Sequence, residues 1–198
     1  MAKHHTTVSA VVLITVTLLL LPLVAYFNQA MTGSYGIQTY QNNSINFTWQ
    51  DIDGEHHQFT DWQQGPTFLF LGFLSCSQIC PIRTHQMQQV MSQLDQHQQQ
   101  NVRFMFVTID PQNDAIAMRR QRIDDVSPQF FSAELTEASL ATLEQQLIET
   151  SSHTNGIAQH AGRLYLLSAT GQLLQTYTHQ QLNIDKLLTE LHSAMASI

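Results

Sequence analysis

Cysteine and charge are both scarce in this chain of 198 residues. Two cysteines cannot form the disulfide network that holds small secreted domains together, so the fold has to rest on a hydrophobic core. Only 12% of the residues are charged, and 8 Lys and Arg against 15 Asp and Glu leave a formal charge of −7. Because nucleic-acid binding needs a dense basic surface, this composition argues against a nucleic-acid partner. The 43% of apolar residues suffices for one domain with a buried core.

A run of apolar residues without any charge covers residues 8–27 (VSAVVLITVTLLLLPLVAYF). About 20 helical residues at 1.5 Å each cross a bilayer core of about 30 Å. A cleaved signal peptide is the alternative, but its apolar stretch is usually shorter, and no clean small-x-small cleavage site follows Phe27. We therefore expect residues 8–27 to form an uncleaved transmembrane anchor.

The basic residues on either side of this anchor predict its orientation. Lys3 precedes it, whereas the first basic residue after it is Arg83. Positive charge stays on the cytoplasmic side, so residues 1–7 are expected in the cytoplasm and the rest of the chain in an oxidising exported compartment such as the periplasm. Without Lys3 the exported part has a net charge of −8 (7 − 15). Residues 28–44 are polar and read as a linker, and residues 45–198 as the folded domain.

After residue 44 the chain alternates between short apolar runs and stretches of helical periodicity, as is typical of an α/β domain. The predicted strands are residues 45–50, 56–60, 67–74, 102–109, 163–167 and 173–178. The predicted helices are residues 81–100, 114–125, 137–150 and 183–196. Asp53-Gly54 suits a tight turn between the first two strands. The order ββ-β-α-β-α-α-ββ-α is that of a thioredoxin-like fold with an added N-terminal hairpin.

Both cysteines, Cys76 and Cys80, lie between the first buried strand and the helix that follows it. Ligands and chemistry gather at the carboxyl edge of such sheets, and a helix N-terminus favours thiolate over thiol. Two thiolates four positions apart can bind one soft metal ion or close a disulfide. The alternative is that both are buried core residues, but the only two cysteines of the chain then share this junction by chance.

The spacing of the pair favours metal binding over thiol exchange. Thioredoxin-type exchange typically uses two cysteines separated by two residues, whereas Cys76 and Cys80 are separated by three. The wider loop leaves space for an ion between the sulfurs. Two thiolates suit Cu(I), and one neutral imidazole can complete a three-coordinate site.

His160 is the strongest candidate for that imidazole among ten histidines. It stands just before the predicted strand 163–167, and in thioredoxin-like folds the loop into this strand passes beside the redox loop. His153 lies in the same loop and is the main competitor, while His85 points along the helix after Cys80. The others are expected on the surface or, for the first two, in the cytoplasm: His4, His5, His56, His57, His97, His179 and His192.

Several motifs together make residues 47–196 resemble the SCO/SenC family. These are Asp51-Ile52-Asp53-Gly54, Gly72-Phe73, Cys76-x-x-x-Cys80-Pro81, Asp110-Pro111-Gln112-Asn113-Asp114, and His160 ahead of Leu164-Tyr165-Leu166 and Gly171. Members of that family are membrane-anchored, thioredoxin-like copper proteins that help to assemble the dinuclear copper site of cytochrome c oxidase. The resemblance implies copper bound by Cys76, Cys80 and His160. For the aspartate motif we expect a strand end with a helix cap at Asp110 or Asp114.

Three positions depart from the family pattern. Members usually have an aromatic residue and a threonine before the first cysteine, a proline directly after it and an aspartate before the histidine. This chain has Phe73-Leu74, Ser77 and Gln159 at those positions. A carboxylate beside an imidazole orients the ring and raises its basicity, so Gln159 removes one such support.

The leading hypothesis from the sequence is therefore a copper metallochaperone. A partner's ligands would replace its own one at a time, and a disulfide between the cysteines would prevent binding, which calls for an exported thiol reductase as a second partner. The expected recipient is the copper-site subunit of cytochrome c oxidase or another copper chaperone. Two alternatives stay open: a thiol-disulfide oxidoreductase that uses Cys76 and Cys80 without His160, and a redox or copper sensor.

Overall fold

The computed structural model describes residues 20–22, 35–38, 44–149, 151–154 and 157–196. Contacts divide the chain into two units, residues 1–34 and residues 35–198. In the first unit, residues 20–22 are helical, and the rest of the predicted anchor 8–27 lies outside the described residues. No helix among the described residues has both the length and the apolar character that crossing a membrane requires. The predicted linker 28–44 is likewise outside, apart from Tyr35–Gln38 and Ser44.

A six-stranded mixed sheet forms the centre of the second unit, in the order β1-β10-β9-β4-β5-β6. Strands β4, β5 and β6 run parallel, and β9, β10 and β1 continue the sheet in antiparallel pairs. Two hairpins, β2–β3 and β7–β8, lie outside it. Among the described residues the strands are β1 Ile37–Gln38, β2 Thr48–Gln50, β3 His56–Gln58, β4 Thr67–Gly72, β5 Arg103–Thr108, β6 Phe130–Ala133, β7 Ser152–Thr154, β8 Ile157–Gln159, β9 Leu164–Leu167 and β10 Leu173–Tyr177.

In the described part of the second unit, six helices connect or cover these strands. They are α1 Phe59–Trp62, α2 Ile79–Ser92, α3 Gln96–Gln100, α4 Ile116–Arg122, α5 Glu137–Leu147 and α6 Ile184–Ala196, and a 3₁₀ turn, Asp124–Val126, follows α4. Helix α2 connects the parallel strands β4 and β5 and packs against α6. The predicted fold class, a mixed α/β domain, agrees with this arrangement.

The central strands are apolar because both faces of the sheet are covered. On β4, Phe68 and Phe70 point to one face and pack with side chains of α2 and α6. Leu69 and Leu71 point to the other face, where they pack with Trp49, the first hairpin and α5. All six residues of β4 are buried, as expected for a strand with helices on one side and a hairpin on the other. The carboxyl end of β4 is therefore held in place by packing on both faces of the sheet.

The N-terminal hairpin forms as the sequence predicts. Thr48–Gln50 pairs with His56–Gln58, and Gly54 turns the chain with a φ of +86°, which favours glycine. The Asp51 carboxylate accepts hydrogen bonds from the backbone N–H groups of Asp53 and Glu55. Pairing of Gln50 with Glu134 fastens the hairpin to the end of β6.

The structure differs from the sequence prediction at four places, and one is the end of the predicted strand 56–60, where residues 59–62 form helix α1. Helix 81–100 is divided into α2 and α3, because Asp95 starts a new helix through a capping box with Gln98. The strand β6 and the hairpin β7–β8 were not predicted, although Asn155-Gly156 is a typical turn sequence for a hairpin between β7 and β8. Part of the predicted linker, Ile37–Gln38, pairs with β10 at the edge of the sheet.

Candidate metal centre

The structure brings together the three residues that the sequence singled out. The sulfurs of Cys76 and Cys80 and a ring nitrogen of His160 all lie within 4.8 Å of one another, the one such group of three or more His, Cys, Asp or Glu side chains in the described part of the chain. Both cysteines are free thiols. Cys80 and His160 are 80 positions apart in the sequence, so the fold brings two distant segments of the chain together.

The loop that carries the cysteines begins at Gly72, the last residue of β4. A Cβ at Gly72 would lie 3.0 Å from Cys80 Sγ and 2.6 Å from the Phe70 ring, so a side chain there would displace the thiol. The backbone of Leu74 is held on both sides. Its N–H donates to the buried Asp114 carboxylate at 2.8 Å, and its carbonyl accepts from Arg122 Nη1 at 2.8 Å.

Cys76 is half-buried at the N-terminus of α2. Burial raises the pKa of its thiol, but hydrogen bonds from the backbone N–H groups of Cys80, Gln78 and Ile79 outweigh this, and the pKa lies below the ordinary value. These N–H groups have no partner within the helix, and they stabilise a thiolate. The helix N-terminus therefore acts on Cys76, as the sequence predicts for the pair.

Cys80 is the buried member of the pair, with 4% of its surface exposed. Burial, together with the charge of the neighbouring Cys76, raises the pKa of its thiol far above the ordinary value. In the metal-free protein Cys80 therefore keeps its proton while Cys76 is the more acidic thiol. A metal ion that binds both sulfurs has to displace this proton.

The ring of His160 forms T-shaped contacts with Phe70 and Phe73, with both centroid distances at 5.5 Å. Burial, helped by the charge of Arg83, lowers the pKa of His160 to about 4. The imidazole is therefore neutral at neutral pH, the state in which it can donate a lone pair to a metal ion.

The two ring nitrogens of His160 have different neighbours. Nδ1 accepts a hydrogen bond from the Gly162 backbone N–H at 3.1 Å, and Nε2 faces Cys80 Sγ at 3.6 Å. A neutral ring that accepts at Nδ1 carries its proton on Nε2, directed at the sulfur. If a metal ion were bound at Nε2, the proton of the neutral ring would have to be on Nδ1, and Nδ1 could then no longer accept the hydrogen bond from Gly162.

The donor set fits a soft ion of small size. Metal–sulfur and metal–nitrogen bonds of about 2.3 and 2.0 Å place the ligand atoms of one ion roughly 4 Å apart. The three atoms are already within 4.8 Å of one another, so only small side-chain movements are needed to enclose an ion. Two sulfurs and one imidazole are the ligands that Cu(I) and Zn²⁺ prefer.

A cleft of about 390 Å³ opens beside the cysteines. Cys76 and Cys80 line it, and its walls are otherwise mainly apolar, with His85 and Arg122 among the polar exceptions. Cys76, the more exposed of the two thiols, can therefore be reached from this side by another molecule.

A family model described as SCO1/SenC matches residues 37–196 of this chain. The chain belongs to the SCO1/SenC family. Among curated proteins, it is 22% identical over 151 residues to a SCO2-like protein of Rickettsia felis, covering 71% of this chain and 73% of that protein. The SCO2-like protein RC0895 of Rickettsia conorii matches with the same identity and coverage.

Solved structures of Sco proteins have the same fold. Copper-bound ScoI of Arabidopsis thaliana has a TM-score of 0.67 at 16% identity, covering 78% of this chain and 99% of that one. Apo Sco1 of Thermus thermophilus has a TM-score of 0.69 at 19% identity, covering 83% and 98%. Copper-bound yeast Sco1 has a TM-score of 0.63 at 17% identity, covering 77% and 90%. The mixed α/β fold of this SCO1/SenC protein is thereby confirmed.

The competing histidines occupy other places in this SCO1/SenC domain. His85 is exposed on α2 and lines the cleft rather than joining the group of three. His153 lies in β7, and its side chain is outside the described part of the structure. His57 Nε2 forms a hydrogen bond with the Asp51 carboxylate at 2.7 Å, and His56, His97, His179 and His192 are exposed, as predicted. His4 and His5 lie outside the described residues.

One expectation for the aspartate motif is wrong. Neither Asp110 nor Asp114 caps a helix with its side chain, because the N-cap of α4 is Ala115 and it receives no side-chain hydrogen bond. Asp114 is instead buried between the Leu74 N–H and the Thr108 hydroxyl, which donates at 2.6 Å. Burial raises the pKa of Asp114 above its ordinary value. In this SCO1/SenC protein the motif thus supports the cysteine loop.

Two residues that touch the His160 loop, Arg83 and Glu149, were missed by the sequence analysis. Arg83 is fully buried, and Glu149 is 5% exposed. A signal for Arg83 was present, since it lies four positions before Met87 and so belongs to the buried face of α2. Glu149 has no comparable signal, because it follows the end of α5.

Proposed function

We propose that this protein is a copper metallochaperone that binds Cu(I) through Cys76, Cys80 and His160. The observation that carries the proposal is the convergence of two sulfurs and one neutral imidazole within 4.8 Å. An acidic thiol at Cys76, a proton that copper displaces at Cys80 and an unprotonated ring at His160 suit a soft cation at neutral pH.

Copper is bound in similar structures that include Arabidopsis thaliana ScoI, Bradyrhizobium japonicum ScoI and yeast Sco1. A further similar protein, BsSco, is described as a member of the Sco family of cytochrome c oxidase assembly proteins. By this likeness, the recipient of the copper is the dinuclear copper site of cytochrome c oxidase. The open cleft beside the cysteines supports transfer, because a partner's ligands can approach Cys76 through it.

The location that fits this role is an exported compartment, with the domain tethered to the membrane. Residues 8–27 supply an apolar segment of the right length, and Lys3 on its N-terminal side favours a cytoplasmic N-terminus. A similar protein from Bacillus anthracis is a lipoprotein, so tethering is also used elsewhere in the family. When Lys3 is left out, the rest of the chain has a net charge of −8 (7 − 15), so the exported part is acidic.

An anaerobic Cu(I) titration of the full-length chain against a chromogenic Cu(I) chelator tests the proposal. We expect one equivalent to bind, with an affinity that falls in the His160→Ala variant. His85→Ala is the matched control, because it removes an imidazole beside the same cleft and is expected to leave the affinity unchanged. An unchanged affinity in His160→Ala would refute the three-ligand site.

A second function, thiol-disulfide exchange, is supported by the asymmetry of the two thiols. Cys76 is accessible with a lowered pKa, and Cys80 is buried with a raised one, which resembles an attacking thiol and a resolving thiol. A disulfide switch has been described in BsSco. An insulin-reduction assay distinguishes the two functions: turnover that needs both cysteines, is insensitive to His160→Ala and occurs without Cu(I) binding would favour exchange.

A further inference from the structure

The residues that follow His160 have no regular secondary structure of their own. Residues 160–163 connect β8 to β9, and Gly162 has a φ of +68°. A loop of this kind holds a side chain in one position only if its backbone groups are fastened to the rest of the domain. Two buried charged side chains, Arg83 and Glu149, provide such attachments.

Arg83 binds the loop at the carbonyl of Gly162. Its Nε and Nη2 donate to that oxygen at 3.2 and 2.9 Å. The same guanidinium donates to the carbonyls of His179 and Gln180 at 2.8 and 3.1 Å, and to Gln86 Oε1 at 2.8 Å. Among the described residues it forms no ion pair with a carboxylate within 4.0 Å. A fully buried guanidinium is costly, so its use for backbone carbonyls points to a role in fixing these loops.

The position of Arg83 on α2 connects the cysteines to the loop of His160. Arg83 follows Cys80 by three residues, so both side chains lie on the same face of the helix. One turn of α2 therefore carries both the sulfur of Cys80 and the guanidinium that holds the His160 loop. A shift of α2 would move both together and would preserve their separation.

Glu149 holds the neighbouring residue of the loop from another element. Its Oε1 accepts a hydrogen bond from the Ala161 N–H at 3.1 Å, and its Oε2 accepts one from the Tyr165 hydroxyl. The carboxylate is buried just after the end of α5. Ala161 and Gly162 are thus held through an N–H and a carbonyl, immediately after His160. This support comes from a distant residue, whereas Gln159, directly before His160, is exposed.

We propose that Arg83 and Glu149 are positioning residues that hold His160 within reach of the two cysteines, so that the third ligand is already in place when copper arrives. The proposal rests on the proposed function, because it treats His160 as a copper ligand. It predicts that weakening either attachment lowers Cu(I) affinity by reducing the contribution of His160 and leaves the cysteine pair intact.

The test compares Arg83→Lys in two backgrounds, the full-length chain and the same chain with His160→Ala. Lysine keeps the charge that acts on His160 but loses the planar fork that binds several carbonyls together. Loss of support for a ligand typically costs about 10- to 100-fold in metal affinity, so we expect roughly a tenfold loss with His160 present. With His160→Ala we expect no further loss. Arg103→Lys, which alters an arginine packed on Trp62 and Phe131, is the control and is expected to retain full affinity.

A pair of variants at Glu149 keeps the test decisive if Arg83→Lys does not fold. Glu149→Gln retains an oxygen that can accept from the Ala161 N–H and is expected to bind copper normally. Glu149→Leu removes the acceptor and is expected to lower affinity about tenfold, again only when His160 is present. X-ray absorption of the Cu(I)-loaded variants is expected to show a lower nitrogen contribution for Glu149→Leu than for Glu149→Gln.

The outcomes separate this inference from the proposed function. If His160→Ala itself leaves affinity unchanged, the three-ligand function fails. If His160→Ala lowers affinity but Arg83→Lys and Glu149→Leu bind as tightly as the unmodified chain, the positioning role is overturned. An equal loss for these variants in both backgrounds also overturns it, since that result means general damage to the fold.

Discussion

The cysteine half of the site, residues 72–80, and the histidine half, residues 160–163, are built in different ways. The cysteine half lies within one strand–helix connection, from the last residue of β4 to the first turn of α2. The histidine half joins β8 to β9, and side chains from elsewhere in the domain hold its backbone. Two donors of the site therefore lie within one strand–helix connection, and the third lies on a separate loop.

This difference indicates that the two halves can be weakened separately. The Leu74 backbone is held by Asp114 and Arg122, whereas the backbone after His160 is held by Arg83 and Glu149. The two sets of anchors share no member. We therefore expect variants of the first set to act on sulfur binding and variants of the second to act on nitrogen binding.

The largest effect is expected from Cys76→Ser, which removes a donor from the cysteine half. A hydroxyl is a poor ligand for Cu(I), and we expect affinity to fall by at least about 1000-fold, or roughly 4 kcal/mol. The Cu(I) competition titration measures this loss. Ser77→Ala, in the same turn, is the control; tight binding by Cys76→Ser would show that this half does not hold the metal.

Asp114→Ala is expected to have the next largest effect, because it leaves the buried Leu74 N–H and the Thr108 hydroxyl without their acceptor. We expect the free energy of unfolding to fall by about 3 kcal/mol in urea denaturation. Cu(I) affinity should fall both with and without His160, in contrast to Arg83→Lys. Asp125→Ala changes an exposed carboxylate and is the control. If Asp114→Ala lowered Cu(I) affinity only in chains that contain His160, the two halves of the site would not be supported independently.

Gly162→Ala tests the histidine half through its backbone. Alanine at a φ of +68°, with its Cβ 3.0 Å from the Ile79 side chain, is expected to lower the free energy of unfolding by about 1–2 kcal/mol and also to lower Cu(I) affinity. Gly54→Ala is the matched control, since Gly54 has a φ of +86° but its nearest neighbour would be 3.6 Å away, in the hairpin. We expect it to change stability and leave affinity unaltered. Equal affinity in both variants would argue against a role of the loop backbone.

The smallest effect concerns the pH dependence of the metal-free protein. The pKa of His160 is lowered to about 4 in the folded chain, against about 6.5 in the unfolded chain. Above pH 6.5 the ring is neutral in both states; between pH 6.5 and 4 the unfolded chain binds the proton more strongly, so stability falls as the pH falls. Urea denaturation at pH 7 and 4.5 should show this loss, which we expect to be about 1 kcal/mol because the ring is partly exposed. His160→Gln should remove it, and an identical loss in this variant would contradict the prediction.

The halves also differ in how far the sequence predicts them. Cys76 and Cys80 were predictable because an apolar run, a proline and helical spacing define a strand–helix junction around them. His160 could be preferred over His153 and His85 only through the fold and the family resemblance. Arg83 carried a weak signal in its helical spacing to Met87, but its partners lie on loops that no local pattern connects. Glu149 gave no signal, since its contact with Ala161 exists only once α5 and β9 are packed.

X-ray absorption of the Cu(I)-loaded full-length chain, with and without His160→Ala, counts the copper ligands. We expect two sulfur neighbours and one nitrogen neighbour in the unmodified protein, and two sulfur neighbours without the nitrogen in the variant. Two sulfur neighbours with no nitrogen in the unmodified protein would contradict the three-ligand site, because the ring of His160 would then lie beside the copper without binding it.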